Sequence, residues 1–330
     1  DGKIYAWDLS GAAPSMLAGF PVGVKPLDGL DGAAGRADYR AAPAYANTNS
    51  GVNLDAARES IVSTPAIGDL DGDGSLEIVV STWSGTVFAF HADGSAVTGW
   101  PVRMPDVPSC PLDGSQPSGP CMDTVTRIAR GSFGSPVLED MDKDGKLDVV
   151  QAGFDGKIYI FKPDGSPLPG WPVALHDDRS PEYNRVFTTP AVADFTGDGI
   201  PDVLTGSNER IGNGSNAGNF YLIDGRGTTI GEKPWLTNWP VSLTSFNLFP
   251  VIAEGTTNSP VAADFDGDGK PEGVMHGNVS APLILPTDPG AQANLADTPG
   301  NALPIRNEDG TEKRGLAPTS IFGANSDAVA

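Results

Sequence analysis

The sequence predicts an all-β chain folded as a β-propeller of four-stranded blades, and three observations predict it. A nine-residue acidic pattern, D-x-[DT]-x-D-G-x-x-[DE], occurs four times, as Asp69–Glu77, Asp140–Asp148, Asp194–Asp202 and Asp264–Glu272. Its first aspartates follow one another at intervals of 71, 54 and 70 residues, which is the period of a multi-strand repeat. Around each copy the apolar residues alternate in short runs closed by Asp-Gly turns, and no amphipathic helical run of three turns occurs.

The elements follow in order. Asp1–Trp7 (DGKIYAW) matches the third strand of a unit and Gly19–Val22 (GFPV) its fourth. Each acidic pattern is preceded by a first strand opened by a residue-proline step: STPAIG before Asp69, GSPVLE before Asp140, TTPAVA before Asp194 and NSPVAA before Asp264. Each is followed by a β-rich second strand, EIVVSTW, DVVQAGF, DVLTGS or EGVMHG. Third strands are aromatic and β-branched, at Gly85–Ser95, Gly156–Ser166 and Gly218–Gly227; fourth strands are Gly99–Val102, Gly170–Val173 and Asn238–Val241. Four short strands per unit, repeated, indicate a radial array rather than a single sandwich.

One propeller domain over residues 1–330 is therefore expected. Its units are 1–22, 61–102, 130–173, 186–241, 256–285 and 320–330, with insertions at 23–60, 103–129 and 286–319. Because the first unit lacks its first half and Asn325–Ala330 reads as a lone first strand, an incomplete segment of a larger propeller is expected.

The acidic pattern carries the chemistry. Oxygen-bearing side chains at positions 1, 3, 5 and 9 converge in so short a loop, and their mutual repulsion calls for a hard cation, for which calcium is the natural guest. The ligands expected are Asp69, Asp71, Asp73 and Glu77; Asp140, Asp142, Asp144 and Asp148; Asp194, Thr196, Asp198 and Asp202; and Asp264, Asp266, Asp268 and Glu272. Glycine at position 6 turns the loop back, so that Ser75, Lys146, Ile200 and Lys270 at position 7 bind through backbone oxygen. The third site is expected to be weakest, since Thr196 replaces a carboxylate. An EF-hand is excluded, because position 12 holds Val80, Gln151, Thr205 and Met275 instead of glutamate. The plainer alternative is that the clusters are polar surface turns.

These loops and strands together resemble the FG-GAP/VCBS repeat family, the integrin-α-like propellers, over residues 1–22 and 61–285. The resemblance implies four calcium sites in the loops between first and second strands and ligand binding on the face away from them.

Composition narrows the function. The net charge of −21 argues against nucleic-acid or anionic-membrane surfaces, and no apolar stretch of eighteen residues suggests a membrane span. Cys110 and Cys121 lie in one Pro/Gly-rich insertion and suit a local disulfide, with two unpaired thiols as the alternative; a disulfide and calcium together favour an extracellular setting. His91, His176 and His276 lack zinc-ligand spacing, and His91 is expected on a blade surface. No nucleophile elbow, P-loop or zinc-protease motif occurs, so no catalytic residue is expected, although an acid pair for glycoside hydrolysis stays open.

Trp100, Trp171 and Trp239 recur at one place per unit and are expected to pack between blades, against the alternative of stacking on sugars. Trp83 and Trp235 are better surface candidates. Asn213 and Asn278 head glycosylation sequons. The insertions Gly23–Ser60, Arg103–Ala129, Ala174–Arg185 and Ser242–Gly255, with the loop Ser207–Gly218, are expected on the face opposite calcium as a recognition surface for a protein or glycan, or as tolerated surface insertions. The function expected is an extracellular calcium-binding propeller acting as a binding, adhesion or assembly module without catalysis. The alternatives are a propeller portion of a secreted carbohydrate-active or hydrolytic enzyme, or a structural subunit of a surface layer or filament.

Overall fold

The computed structural model describes residues 2–24, 58–105, 131–175, 185–207, 210–211, 215–216, 218–230, 233–243, 258–265, 267–275, 283–285 and 287. Cys110, Cys121, His176, His276, Asn213, Asn278, Asp266 and most of the insertions lie outside them. The strands in chain order are β1 (Lys3–Ile4), β2 (Trp7–Asp8), β3 (Ser15–Met16), β4 (Val22–Gly23), β5 (Ala66–Gly68), β6 (Glu77–Ser81), β7 (Thr86–Phe90), β8 (Val102–Arg103), β9 (Val137–Glu139), β10 (Asp148–Ala152) and β11 (Lys157–Phe161). They continue with β12 (Val173–Ala174), β13 (Ala191–Ala193), β14 (Asp202–Ser207), β15 (Arg210–Ile211), β16 (Ser215–Asn216), β17 (Gly218–Ile223), β18 (Val241–Leu243), β19 (Val261–Ala263), β20 (Glu272–Met275) and β21 (Leu283–Leu285). No helix among the described residues is long and apolar enough to cross a membrane.

Every pairing is antiparallel, and the strands build meanders. Three four-stranded sheets run β5-β6-β7-β8, β9-β10-β11-β12 and β13-β14-β17-β18; a three-stranded sheet, β19-β20-β21, follows them. β1 with β4, and β2 with β3, form the half-unit at the chain start. β21 is a third strand that the sequence pattern left unassigned. The expected loop Ser207–Gly218 contains a small ribbon, β15 with β16. No strand pairing joins the first and last sheets among the described residues.

Radial stacking follows from where neighbouring residues of one strand go. Val79 packs with Val149 and Phe161 of the next sheet, while Val80 packs with Ile4 and Phe20 of the previous one. Val149 and Val150 divide in the same way, as do Val203 and Leu204. A strand buried on both faces is a continuous apolar run, and each such Val or Leu contributes about 2 kcal/mol relative to exposure. The first strands touch in sequence, β5 with β9, β9 with β13 and β13 with β19, so they form the inner edge of the array.

Two further contacts fix the spacing of the sheets. The residues before successive first-strand prolines are linked from sheet to sheet: Thr64 N–H donates to Ser135 Oγ, Ser135 N–H to Thr189 Oγ1 and Thr189 N–H to Ser259 Oγ, each at 2.9 Å. Farther out, the indole N–H groups of Trp100, Trp171 and Trp239 donate to Pro163 O at 2.8 Å, Gly225 O at 3.1 Å and Thr287 O at 2.7 Å in the following unit. All three tryptophans are 6 % exposed, as their repeated position predicted, which leaves no free face for a sugar. Trp83 and Trp235 are half-buried rather than free surface rings. Trp83 meets Phe133 and Phe154 edge-on, at 5.9 and 5.2 Å between centroids, and Trp235 meets Tyr221 at 5.2 Å.

Candidate metal centre

Each acidic pattern forms the connection between a first and a second strand, and its backbone is organised by its own carboxylates. In the first loop Asp69 Oδ1 accepts the Gly72 N–H at 2.8 Å and Oδ2 the Gly74 N–H at 3.0 Å. Asp194 takes Gly197 and Gly199 in the same way, at 2.7 and 2.8 Å, and Asp264 takes Gly267 and Gly269 at 2.6 and 3.0 Å. Asp140 accepts from Asp144 and Gly145, both at 3.0 Å. Position 4 has φ near +75° in three loops, at Gly72, Gly197 and Gly267, whereas Lys143 holds φ +59° there without glycine's freedom.

The other positions repeat as closely. The position-5 carboxylate accepts the position-7 N–H: Asp73 from Ser75 at 2.7 Å, Asp144 from Lys146 at 3.0 Å, Asp198 from Ile200 at 2.9 Å and Asp268 from Lys270 at 2.8 Å. The last acid begins the second strand and is buried, and it accepts the position-2 N–H. The pairs are Glu77 with Leu70 at 2.9 Å, Asp148 with Met141 at 3.0 Å, Asp202 with Phe195 at 3.1 Å and Glu272 with Phe265 at 2.7 Å. Leu70, Met141 and Phe195 are themselves almost fully buried, so the loop hangs from an apolar peg at one end and a buried carboxylate at the other.

Carboxylate oxygens of Asp69, Asp71 and Glu77 lie within 4.8 Å of one another, and so do those of Asp140, Asp142 and Asp148. These are hard oxygen donors with no thiol or imidazole among them, the set that suits calcium or magnesium rather than zinc. The third loop brings Thr196 Oγ1 to 3.4 Å from Asp194 Oδ1. In the fourth loop Asp264, Asp268 and Glu272 keep the common geometry.

The crowding shows in the acids. Burial pushes the Asp148 carboxyl up to about 7, against the Met141 N–H that lowers it, with Asp142 and Asp144 adding to the rise. Burial likewise raises Asp202 to about 6, opposed by the N–H groups of Gly225 and Thr196 and helped by Asp224 and Asp198. A metal ion at these oxygens favours the ionised form that burial opposes.

Third-strand ends supply residues that sequence reasoning missed. His91 is not a free surface residue: Nδ1 lies 3.0 Å from Glu77 Oε1. At the equivalent position Lys162 Nζ lies 2.5 Å from Asp142 Oδ2 and 3.4 Å from Asp144 Oδ2. In the next unit that position is Asp224, and Arg226 Nη2 bridges it to Asp198, at 2.7 and 3.0 Å. The signal available in sequence was the recurrence of FH, FK and ID just before or within the third-strand turn.

Residues 140–205 match the FG-GAP-like repeat, so the chain carries the repeat that the second and third loops resembled. Among curated protein sequences none matches. BamB from Moraxella catarrhalis is 14% identical over 72% of this chain and 52% of that one, with a TM-score of 0.40. A europium-containing methanol dehydrogenase is 11% identical over 88% of this chain and 46% of that one, with a TM-score of 0.45. The C-terminal domain of PilY1 from Pseudomonas aeruginosa is 17% identical over 64% of this chain and 38% of that one, with a TM-score of 0.40. The chain thus spans about half or less of the length of each.

Proposed function

We propose that this chain is an extracellular, calcium-rigidified propeller that serves as a binding, adhesion or assembly module without catalysis of its own. The observation that carries the metal half of the proposal is the fourfold recurrence of one hydrogen-bonded loop. The backbone satisfies one oxygen each of Asp71 and Asp73, through the N–H groups of Asp73 and Ser75, and so holds both carboxylates over the loop. A polar surface turn has no need to gather a buried glutamate with two half-buried aspartates; a cation site does. Bound calcium supplies positive charge that relieves the repulsion among these carboxylates. The chain's own residues hold the oxygens in place and tie the loop to a buried apolar position.

The binding half rests on architecture. Metal loops occupy the connection between first and second strands, so the second-to-third turns and the links between units open on the opposite face, where the insertions leave the repeat. Variable connections on a rigid scaffold are where recognition concentrates. The extracellular setting follows from the millimolar calcium that such exposed loops require.

Removing calcium by dialysis against a chelator is expected to lower the melting temperature, and readdition to restore it, because a cation that binds only the native state stabilises by mass action. Deleting Pro111–Pro120 is expected to leave that calcium effect intact while removing capture of the partner. A metal-free protein that melts as before removes the calcium proposal, and unchanged capture moves recognition off that insertion.

A further inference from the structure

Resting on the calcium reading of the loops, we propose that Lys162 is an internal counter-ion of the second loop: its ammonium holds the oxygens a divalent metal needs, so that the first loop fills at lower calcium and the second fills only by displacing the lysine. Three observations carry this. The first is which oxygens Lys162 touches. In the second loop the backbone takes Oδ1 of Asp142 and Oδ1 of Asp144, from the N–H groups of Asp144 and Lys146. Lys162 Nζ meets Oδ2 of both, the oxygens that the loop backbone leaves over.

The second observation is position. β10 pairs with β11 so that Val149 faces Phe161, which sets Lys162, one residue on, opposite Asp148 at the base of the loop. The ammonium therefore reaches the cluster from the strand that flanks it, and with 29% side-chain exposure it can swing to solvent. The third is the internal comparison. In the first loop His91 occupies the equivalent place and bonds Glu77 Oε1, while Asp71 and Asp73 are bonded from within the loop, by the N–H groups of Asp73 and Ser75 and by the Ser75 side chain. The two loops thus present the same number of carboxylates with unequal counter-charge: a displaceable ammonium against two aspartates in one, an imidazole against the buried glutamate in the other.

An ammonium must leave, or share a site with a divalent ion, before calcium enters the second loop, whereas calcium enters the first without that exchange. Replacing Lys162 by methionine keeps the aliphatic stem and removes the charge. Calorimetric titration of the whole chain with calcium is expected to show the second-loop step tightening roughly tenfold in Lys162→Met, with the first-loop step unchanged. Asp69→Ala and Asp140→Ala, each eliminating one step, assign the steps to loops. Lys162→Gln serves as a second variant, judged by the same isotherm, should the methionine disturb folding. Calcium binding by the unaltered chain with no tightening in either variant overturns the counter-ion role while leaving the calcium proposal standing. Absence of any calcium uptake by the unaltered chain overturns both.

Discussion

The backbone N–H of Ser135 donates to Thr189 Oγ1 at 2.9 Å across 54 residues of sequence, joining the inner ends of two neighbouring sheets. The same bond relates Thr64 to Ser135 and Thr189 to Ser259, so three residues that precede a first-strand proline donate to the next sheet, and the hydroxyls of Ser135, Thr189 and Ser259 each receive from the previous one. Proline at the following position has no N–H of its own to offer and holds the preceding residue extended, which presents both groups sideways.

Thr189→Val is therefore expected to cost about 1 kcal/mol, because it keeps the side-chain shape but leaves the Ser135 N–H without its acceptor. Chemical denaturation reads the loss as a lower midpoint at unchanged slope. A midpoint equal to that of the parent chain shows that water replaces the hydroxyl at no cost.

A closer approach joins the outer parts of the sheets. Gly99 has φ +91°, and a Cβ placed there stands 1.9 Å from the carbonyl oxygen of Asp164 in the next unit. Gly99→Ala combines a left-handed backbone with a backbone clash that no rotamer relieves, and it is expected to cost about 3 kcal/mol. In the third unit the same place is taken by Asn238 at φ +66°, a residue that tolerates that region. Thermal melts of Gly99→Ala and Gly99→Asn, both markedly below the parent, are the outcome expected.

Lys143 offers the opposite change. It holds φ +59° at a position where the other three loops have glycine, and its ammonium meets the half-exposed Glu139 at 3.5 Å. A solvated pair of that kind contributes little, while a left-handed lysine costs roughly 1–2 kcal/mol. Lys143→Gly is expected to raise the melting temperature by a few degrees in the presence of calcium. A fall shows that loop entropy outweighs the relief of strain.

How much of this was legible beforehand depends on the range of the interaction. The loops Asp69–Glu77 to Asp264–Glu272 were readable because the bonds from their own backbone to their acids lie within seven residues, and the strand order because alternation is local. Trp100, Trp171 and Trp239 were readable as packing residues through their repetition. The partners of Thr64, Ser135 and Thr189 were not, since they lie 71, 54 and 70 residues away and the S/T-P step looks like an ordinary strand opening. Lys162 and His91 were missed for a related reason: only the β10–β11 and β6–β7 registers bring a third-strand residue over the metal loop. β21 escaped notice because Leu283–Leu285 lacks the aromatic residues of the other third strands.

The raised carboxyls of Asp148 and Asp202 give the metal-free protein a pH dependence opposite to ordinary acid denaturation. For Asp148 the folded value is about 7 against about 3.8 in the unfolded chain, where the acid is solvated, so the folded chain binds this proton more tightly than the unfolded chain does. Below 3.8 both states are protonated and nothing is lost; as pH rises to about 7 the unfolded chain ionises first, and the fold is progressively penalised, with the penalty constant above that. Asp202 behaves alike over the window from 3.8 to about 6. Calcium demands the ionised form, so its affinity is expected to rise across the same windows and offset the penalty. Calcium-free protein is expected to lose melting temperature between about pH 5 and about pH 8 relative to an Asp148→Asn, Asp202→Asn double variant, in which neither group titrates. Millimolar calcium is expected to stabilise the parent more at the higher pH and the double variant little at either. Melting curves of the two proteins with the same pH slope, with or without calcium, contradict the assignment of these two buried acids as the groups that exchange protons for metal.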